Sequence, residues 1–377
     1  MIIHDFLSWV ETAPDGPRAE AAGALARAWL YSDLDAETRR DAAAALTLLL
    51  EDPCEDVRMA LAENLARSEE APRHLILALA QEQGEAAPVV YAHSPLFSDV
   101  ELIDGLGHPD PAVHEVIARR NGLSAAVAAA IAEVADRSAC QALLANRSAR
   151  LVPGTLRRLA ERFADEGMIR EQLLKVSNLP LDLRHVLLLA HASSLGEAEQ
   201  QEKEELLSDA SDRFALRLMQ SAPDDQLHAL ALSLRTRGLL NTRLLLRAVC
   251  CGRFRFFAMA LSLLSDVSEE RVARALFAAR PSSMRAVLRK ASLPMRTHQA
   301  FLLAIDIARE GGADLSEDLP LSRARGLTER LLAELQDEAL GSDGDILGFL
   351  RRFSIEVARL EARDHLKQSG QKALSAA

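Results

Sequence analysis

Residues 52–79 read DPCEDVRMALAENLARSEEAPRHLILAL. A short apolar helix, a polar break and a second Leu-rich helix are legible in that one stretch. Asp52-Pro53-Cys54-Glu55 has the composition of a helix start: Asp at the N-cap, Pro at the first helical position where its missing N–H costs nothing, and Glu placed to close a capping box. Asn64 and Pro72 then interrupt the backbone ladder between the two helices. A unit this short cannot bury its own apolar face, so neighbouring units must stack.

The same pattern recurs along the chain. Asp110-Pro111 repeats the cap and the proline. With Asn64, His93, Asn121, Asn146 and Asn178 as markers, the intervals are 29, 28, 25 and 32 residues. The expected fold is all-α: an α-solenoid of short helix pairs over 1–192, then a second helical-repeat or helical-bundle region. SSLGEAEQQEKEELLSDASD suits an acidic linker or exposed helix over 193–212. A basic helical domain over 213–310 and two longer helices over 311–368 should follow, with 369–377 as a frayed tail. One echo joins the halves: Lys175-Val-Ser-Asn-Leu-Pro, running on to His185, against Lys290-Ala-Ser-Leu-Pro, running on to His298.

Composition narrows the class. Of 377 residues, 49% are apolar but only 4% aromatic, and the Ala and Leu surplus favours helices over strands. The longest charge-free run, Ala86 to Ser98, has 13 residues and two prolines, too short to cross a membrane. The opening MIIHDFLSWVE has no basic region before its apolar residues and is not expected to be a secretory signal. Cys54, Cys140, Cys250 and Cys251 form neither a CxxC pair nor a disulfide framework, so a reducing cytoplasm is the simplest compartment.

Val57-Arg58 through Asn64, with Pro72 and Leu75 after them, resembles the short HEAT-like units and the leucine-rich repeat variant. Arg253-Phe-Arg-Phe-Phe257, the following SLLSDVSEERVARALF and the KASLP turn resemble the C-terminal region of an alphaproteobacterial conserved domain-of-unknown-function family with HEAT-like helices. That resemblance implies a helical-repeat fold over most of the chain and carries no reaction, cofactor or catalytic residue with it.

The usual chemical motifs are missing. Neither GxxxxGK[ST], GxGxxG, HExxH nor GxSxG occurs, so nucleotide, zinc-protease and hydrolase chemistry of the common kinds is not expected. His185 and His191 lie six apart on one helix and point about 120° apart, which does not suit one metal ion. Adjacent Cys250 and Cys251 diverge by about 100° on a helix and read as small buried thiols. No cofactor, no metal and no catalytic residue are expected.

Charge distribution is more informative. Residues 1–110 carry 7 basic and 21 acidic side chains, whereas 235–296 carry 13 basic and 3 acidic, in a chain of net charge −11. Arg247, Arg253, Arg255, Arg285, Arg289 and Lys290 are the candidate partner- or anion-binding residues, with Arg271, Arg274, Arg280 and Arg296 beside them. The favoured expectation is a non-catalytic interaction or scaffold protein that binds a protein partner carrying acidic residues. Its alternative is a nucleic-acid-binding HEAT-like protein with Phe254, Phe256 and Phe257 against bases, resembling the HEAT-like DNA glycosylases, although Trp9 and Trp29 lie in the acidic head. A homo-oligomer through acidic head and basic body, and an enzyme with a site between the two halves, are the remaining readings.

Overall fold

The structure is a computed structural model and describes residues 6, 8–10, 12–193, 200–219, 222–277, 281–315, 317–337 and 344–375. Among these residues all regular structure is helical. The chain forms two compact units, Met1–Leu179 and Pro180–Ala377, dividing one helix earlier than the change of composition near 192.

The first unit runs α1 (Asp15–Tyr31), α2 (Ala36–Leu48), α3 (Glu55–Leu65), α4 (Arg73–Leu79), α5 (Ala86–His93), α6 (Asp99–Asp104), α7 (Pro111–Ala118), α8 (Ala125–Val134), α9 (Arg137–Ala145), α10 (Pro153–Phe163) and α11 (Gly167–Lys175). Odd-numbered helices pack on one another in succession, α1 on α3 through to α9 on α11, while α6, α8 and α10 form a second succession. Every helix of this unit after α1 has 13 residues or fewer, too short to be stable alone in water, so the stacking supplies what propensity cannot. Val57, Leu61, Leu75, Val90, Val113, Ile117, Val127, Ile131, Leu143, Leu156 and Leu173 are among the fully buried residues.

Short helices leave many backbone groups without an intrahelical partner. At the starts, Ser98 forms a capping box with Glu101, and Asp110, Ser124 and Asp136 each accept from a first-turn N–H. The ends are closed by side chains from one repeat later. Arg120 donates to Tyr91 O, Asn146 to Ala118 O at 2.9 Å and Arg120 O at 2.7 Å, and Arg162 to Ala132 O and Ala135 O at 2.6 and 2.7 Å.

Asp52 departs from expectation. The chain makes a 3-10 turn at Leu49–Glu51, Asp52 is extended, and the next helix begins only at Glu55, so no capping box forms. Instead the buried Asp52 carboxylate takes a two-pronged bond from Arg18, at 3.0 and 2.9 Å, and accepts from Cys54 N at 2.9 Å. Glu55 reaches forward to accept from Glu85 N at 3.0 Å. Both carboxylates tie sequence-distant segments together.

The second unit runs α12 (Leu181–Ser193), α13 (Gln200–Leu218), α14 (Asp224–Thr236), α15 (Thr242–Cys250), α16 (Phe254–Ser265), α17 (Glu269–Phe277), α18 (Pro281–Lys290), α19 (Met295–Glu310), α20 (Leu321–Asp337) and α21 (Gly344–Ser375). Its core gathers around α15 and α16. Leu244 to Cys250 are buried without a break, and Phe254, Phe256 and Phe257 are fully enclosed, Phe257 stacking on Phe301 at 5.6 Å. Residues 194–199 of the expected acidic linker lie outside the described residues. The rest of it is helical, and Ser211, Asp212, Ala215 and Leu216 of α13 are buried in the core. α21 runs through 369–375, the stretch expected to fray, and 376–377 lie outside the described residues.

The tight turn between α15 and α16 rests on Gly252, at φ +66°, where a Cβ would lie 2.4 Å from Leu319 Cβ. Its carbonyl accepts from Leu319 N at 2.9 Å. Gly252→Ala therefore combines a left-handed backbone with an overlap against main-chain-anchored Leu319, and should cost about 2–4 kcal/mol by denaturant unfolding of the full chain. Gly122→Ala, at φ +68° but with open space around it, should cost no more than about 1–2 kcal/mol.

Candidate functional site

The six basic residues singled out by charge do not form one surface. Arg247, on the enclosed helix α15, is 3% exposed. Its guanidinium meets Asp212 at 3.3 Å, Asp209 at 3.1 Å and Glu356 at 3.8 Å, and lies over the Phe349 and Phe353 rings. Arg253 is buried as well, beside Asp318 at 3.8 Å and donating to Leu319 O at 3.4 Å. Arg255 is paired with Asp224, and its N–H donates to Asp318 Oδ1 at 3.4 Å. Arg247 and Arg253 belong to the core of the second unit, and Arg255 is partly exposed but already paired, so all three leave the candidate surface.

Burial of Asp212 outweighs the attraction of Arg247 and pushes its pKa up to about 7. Its Oδ1, Arg247 Nε and Glu356 Oε2 are buried without hydrogen-bond partners, so this cluster is only partly satisfied. His185 is enclosed nearby in sequence space on α12, facing Ser211 O and Ser211 Oγ at 3.1 Å each, and desolvation lowers its pKa. Cys250 and Cys251 are buried, and burial raises both thiols, Cys251 to about 12. A thiol so placed is chemically inert. Among the described residues no three His, Cys, Asp or Glu side chains gather as metal ligands, and no helix is long and apolar enough to cross a membrane.

The other three basic residues are exposed together. α18 turns Met284, Val287 and Leu288 inward and presents Arg285, Arg289 and Lys290 outward. α17, packed against it, buries Val272, Ala275 and Leu276 and presents Arg271 and Arg274. Phe277 is 49% exposed at the end of α17 and Met295 72% exposed at the start of α19. The sequence contains no Asp or Glu between Glu270 and Asp306. Lys290 donates to Asp266 O and Arg274 to Glu270 O, both at 3.3 Å, so each partly serves its own backbone. Arg271, Arg285 and Arg289 make no side-chain hydrogen bond or ion pair among the described residues. Arg280 lies outside them.

Arg285 and Arg289 sit one turn apart on one face, where like charges repel by about 0.2–0.5 kcal/mol, and no acidic side chain pairs with either among the described residues. An arginine ridge with two exposed apolar side chains at its margin is suited to bind carboxylates or phosphates and, beside them, an apolar group. Charge counting alone could not separate Arg247 from Arg285. The local sequence does: Leu244-Leu-Leu-Arg247-Ala-Val-Cys-Cys251 has no polar neighbour to share a solvent face, whereas Arg285 and Arg289 alternate with apolar residues at helical spacing.

A model of the family described as uncharacterised protein conserved in bacteria (DUF2336) matches residues 86–341. The match spans more than half of the chain, from α5 past α20, and the chain belongs to that family. Neither a curated protein nor a solved structure matches the chain.

The Arg247 cluster makes two predictions. Arg247→Leu leaves buried carboxylates without a counter-charge and should cost about 3–5 kcal/mol. A carboxyl that binds its proton more tightly folded than unfolded stabilises the fold as pH falls, here between about 7 and its ordinary 3.8, and is least favourable above 7. Denaturation midpoints measured from pH 5 to pH 8 should therefore fall less in Asp212→Asn than in the unchanged chain; parallel pH profiles would contradict the assignment.

Proposed function

Taking the chain as a DUF2336 protein, we propose that it is a non-catalytic interaction protein of the cytoplasm that binds an acidic segment of a protein partner on the α17–α18 face. The first unit is, in this reading, an α-solenoid of HEAT-like helix pairs. Its support is the succession of odd and even helices, with side chains closing the ends of helices about one repeat back. Four free cysteines suit a reducing compartment.

One observation carries the binding proposal: an acid-free stretch from 271 to 305 whose Arg271, Arg285 and Arg289 have no counter-charge among the described residues, in a chain of net charge −11. A surface cation that complements nothing internal is available to steer and hold an opposite charge. A protein partner is favoured over nucleic acid by three features. Phe254, Phe256 and Phe257 are in the core and offer no stacking platform, and the acidic remainder of the chain repels a long polyanion. Phe277 and Met295 supply the apolar margin that a protein segment uses and a phosphate backbone does not.

Arg285→Glu with Arg289→Glu, both exposed, should leave thermal stability unchanged or slightly higher and weaken partner recovery from native cells about tenfold or more. Equal recovery of every specific partner by the altered and unaltered chains would overturn the proposal. Salt-sensitive DNA or RNA binding that the same double variant abolishes would assign the ridge to nucleic acid instead.

A further inference from the structure

The first unit carries a depression that the α17–α18 reading does not use. Along α7, α9 and α11 lie two cavities of about 730 and 630 Å³ that share Ala145, Asn146, Arg147 and Gln172. The small side chains of Ala142 and Ala145 on α9 leave the floor low between the larger residues of α7 and α11. Arg147 and Lys175 are exposed at its sides and make no ion pair among the described residues. Glu115, the acid on the wall, is already bound by Arg119.

The polar groups here divide in two. Asn146 is fully engaged in the fold: it donates twice to the end of α7 and accepts from Ser148 N at 3.0 Å and Ser148 Oγ at 2.7 Å. Gln172 is the opposite case. It lines both cavities, and its Oε1 is buried with no hydrogen-bond partner. A buried acceptor left unpaired destabilises the fold, and a leucine could fill the same place without that cost.

We infer that this depression binds an extended segment of a partner protein bearing a carboxylate side chain, at a site separate from the α17–α18 face. Rotation of the Gln172 side chain, which lines the depression, lets its unpaired oxygen accept a main-chain N–H, the neighbouring Gln141 amide can both donate and accept, and Arg147 and Lys175 hold the carboxylate. Three successive helices at about 8–10 Å spacing present a track of about 20 Å, which about six extended residues cover at ~3.3 Å each. Cations near helix C-termini also offset the macrodipole. That role predicts a stability change on their removal and no change in binding.

The test is a displayed random decapeptide library selected on the full chain, followed by fluorescence polarisation of the enriched peptides. Enriched sequences should contain Asp or Glu and tolerate proline. Binding should fall about tenfold or more in Arg147→Glu with Lys175→Glu, and about threefold or more in Gln172→Leu, whose Tm should be equal or higher. Arg285→Glu with Arg289→Glu should bind these peptides as the unchanged chain does, so failure here and failure at α17–α18 are distinct. The inference is overturned if no peptide is enriched relative to selection on the Arg147, Gln172, Lys175 triple variant, or if enriched peptides bind that variant undiminished. It is equally overturned if a random-sequence oligonucleotide, and no peptide, binds with the same dependence on Arg147 and Lys175.

Discussion

The last carbonyls of short helices need donors, and in the first unit side chains from about one repeat later supply them. Arg120 reaches Tyr91 across 29 positions, Asn146 reaches Ala118 across 28 and Arg162 reaches Ala132 across 30. A donor that must arrive from the neighbouring helix pair fixes how far along the chain that pair can begin. The drifting sequence period thus has a mechanical origin: each unit needs enough chain to return a cap to its predecessor, and loop length absorbs the remainder. The second unit uses the device too, where Arg309 donates to Leu276 O at the end of α17 at 2.7 Å.

This constraint sorts the polar residues. Arginines that close a helix end or neutralise a buried carboxylate belong to the fold, and Arg120, Arg162, Arg247 and Arg253 are of that kind. Arg147 in the first unit and Arg271, Arg285 and Arg289 in the second have no such internal partner among the described residues, and it is these that the proposed binding uses. Buried Arg247 is costly by the same reasoning, because several carboxylates share one cation and some of their atoms have no hydrogen bond.

Much of the fold is legible in the sequence because its signals are local. Asp110-Pro111 starts a helix as its composition predicts, and Thr242–Cys250 has the limits its apolar run implies. Asn146 stands out as a recurring marker, yet its carbonyl partners 28 positions away are a tertiary matter. Asp52 shows the limit in the other direction: its local context is a capping box, and a distant Arg18 captures the carboxylate first. The candidate site was legible by charge as a region only. Which of thirteen basic residues over 235–296 face solvent depends on whether a helix is enclosed on one side or on all sides, and α15 is enclosed on all of them only from Leu244 to Cys250, leaving Arg243 exposed. The depression beside Gln172 has no sequence signature, since it arises from two alanines on a middle helix flanked by longer side chains on its neighbours.

The capping account is tested most directly by comparing two markers of the same repeat. Asn146 donates to two carbonyls at the end of α7, while Asn121 makes no side-chain hydrogen bond among the described residues. Denaturant unfolding of Asn146→Ala and Asn121→Ala should give losses of about 2–3 kcal/mol and under about 0.5 kcal/mol respectively. Equal losses would show that these asparagines act through turn preference alone and would contradict the account.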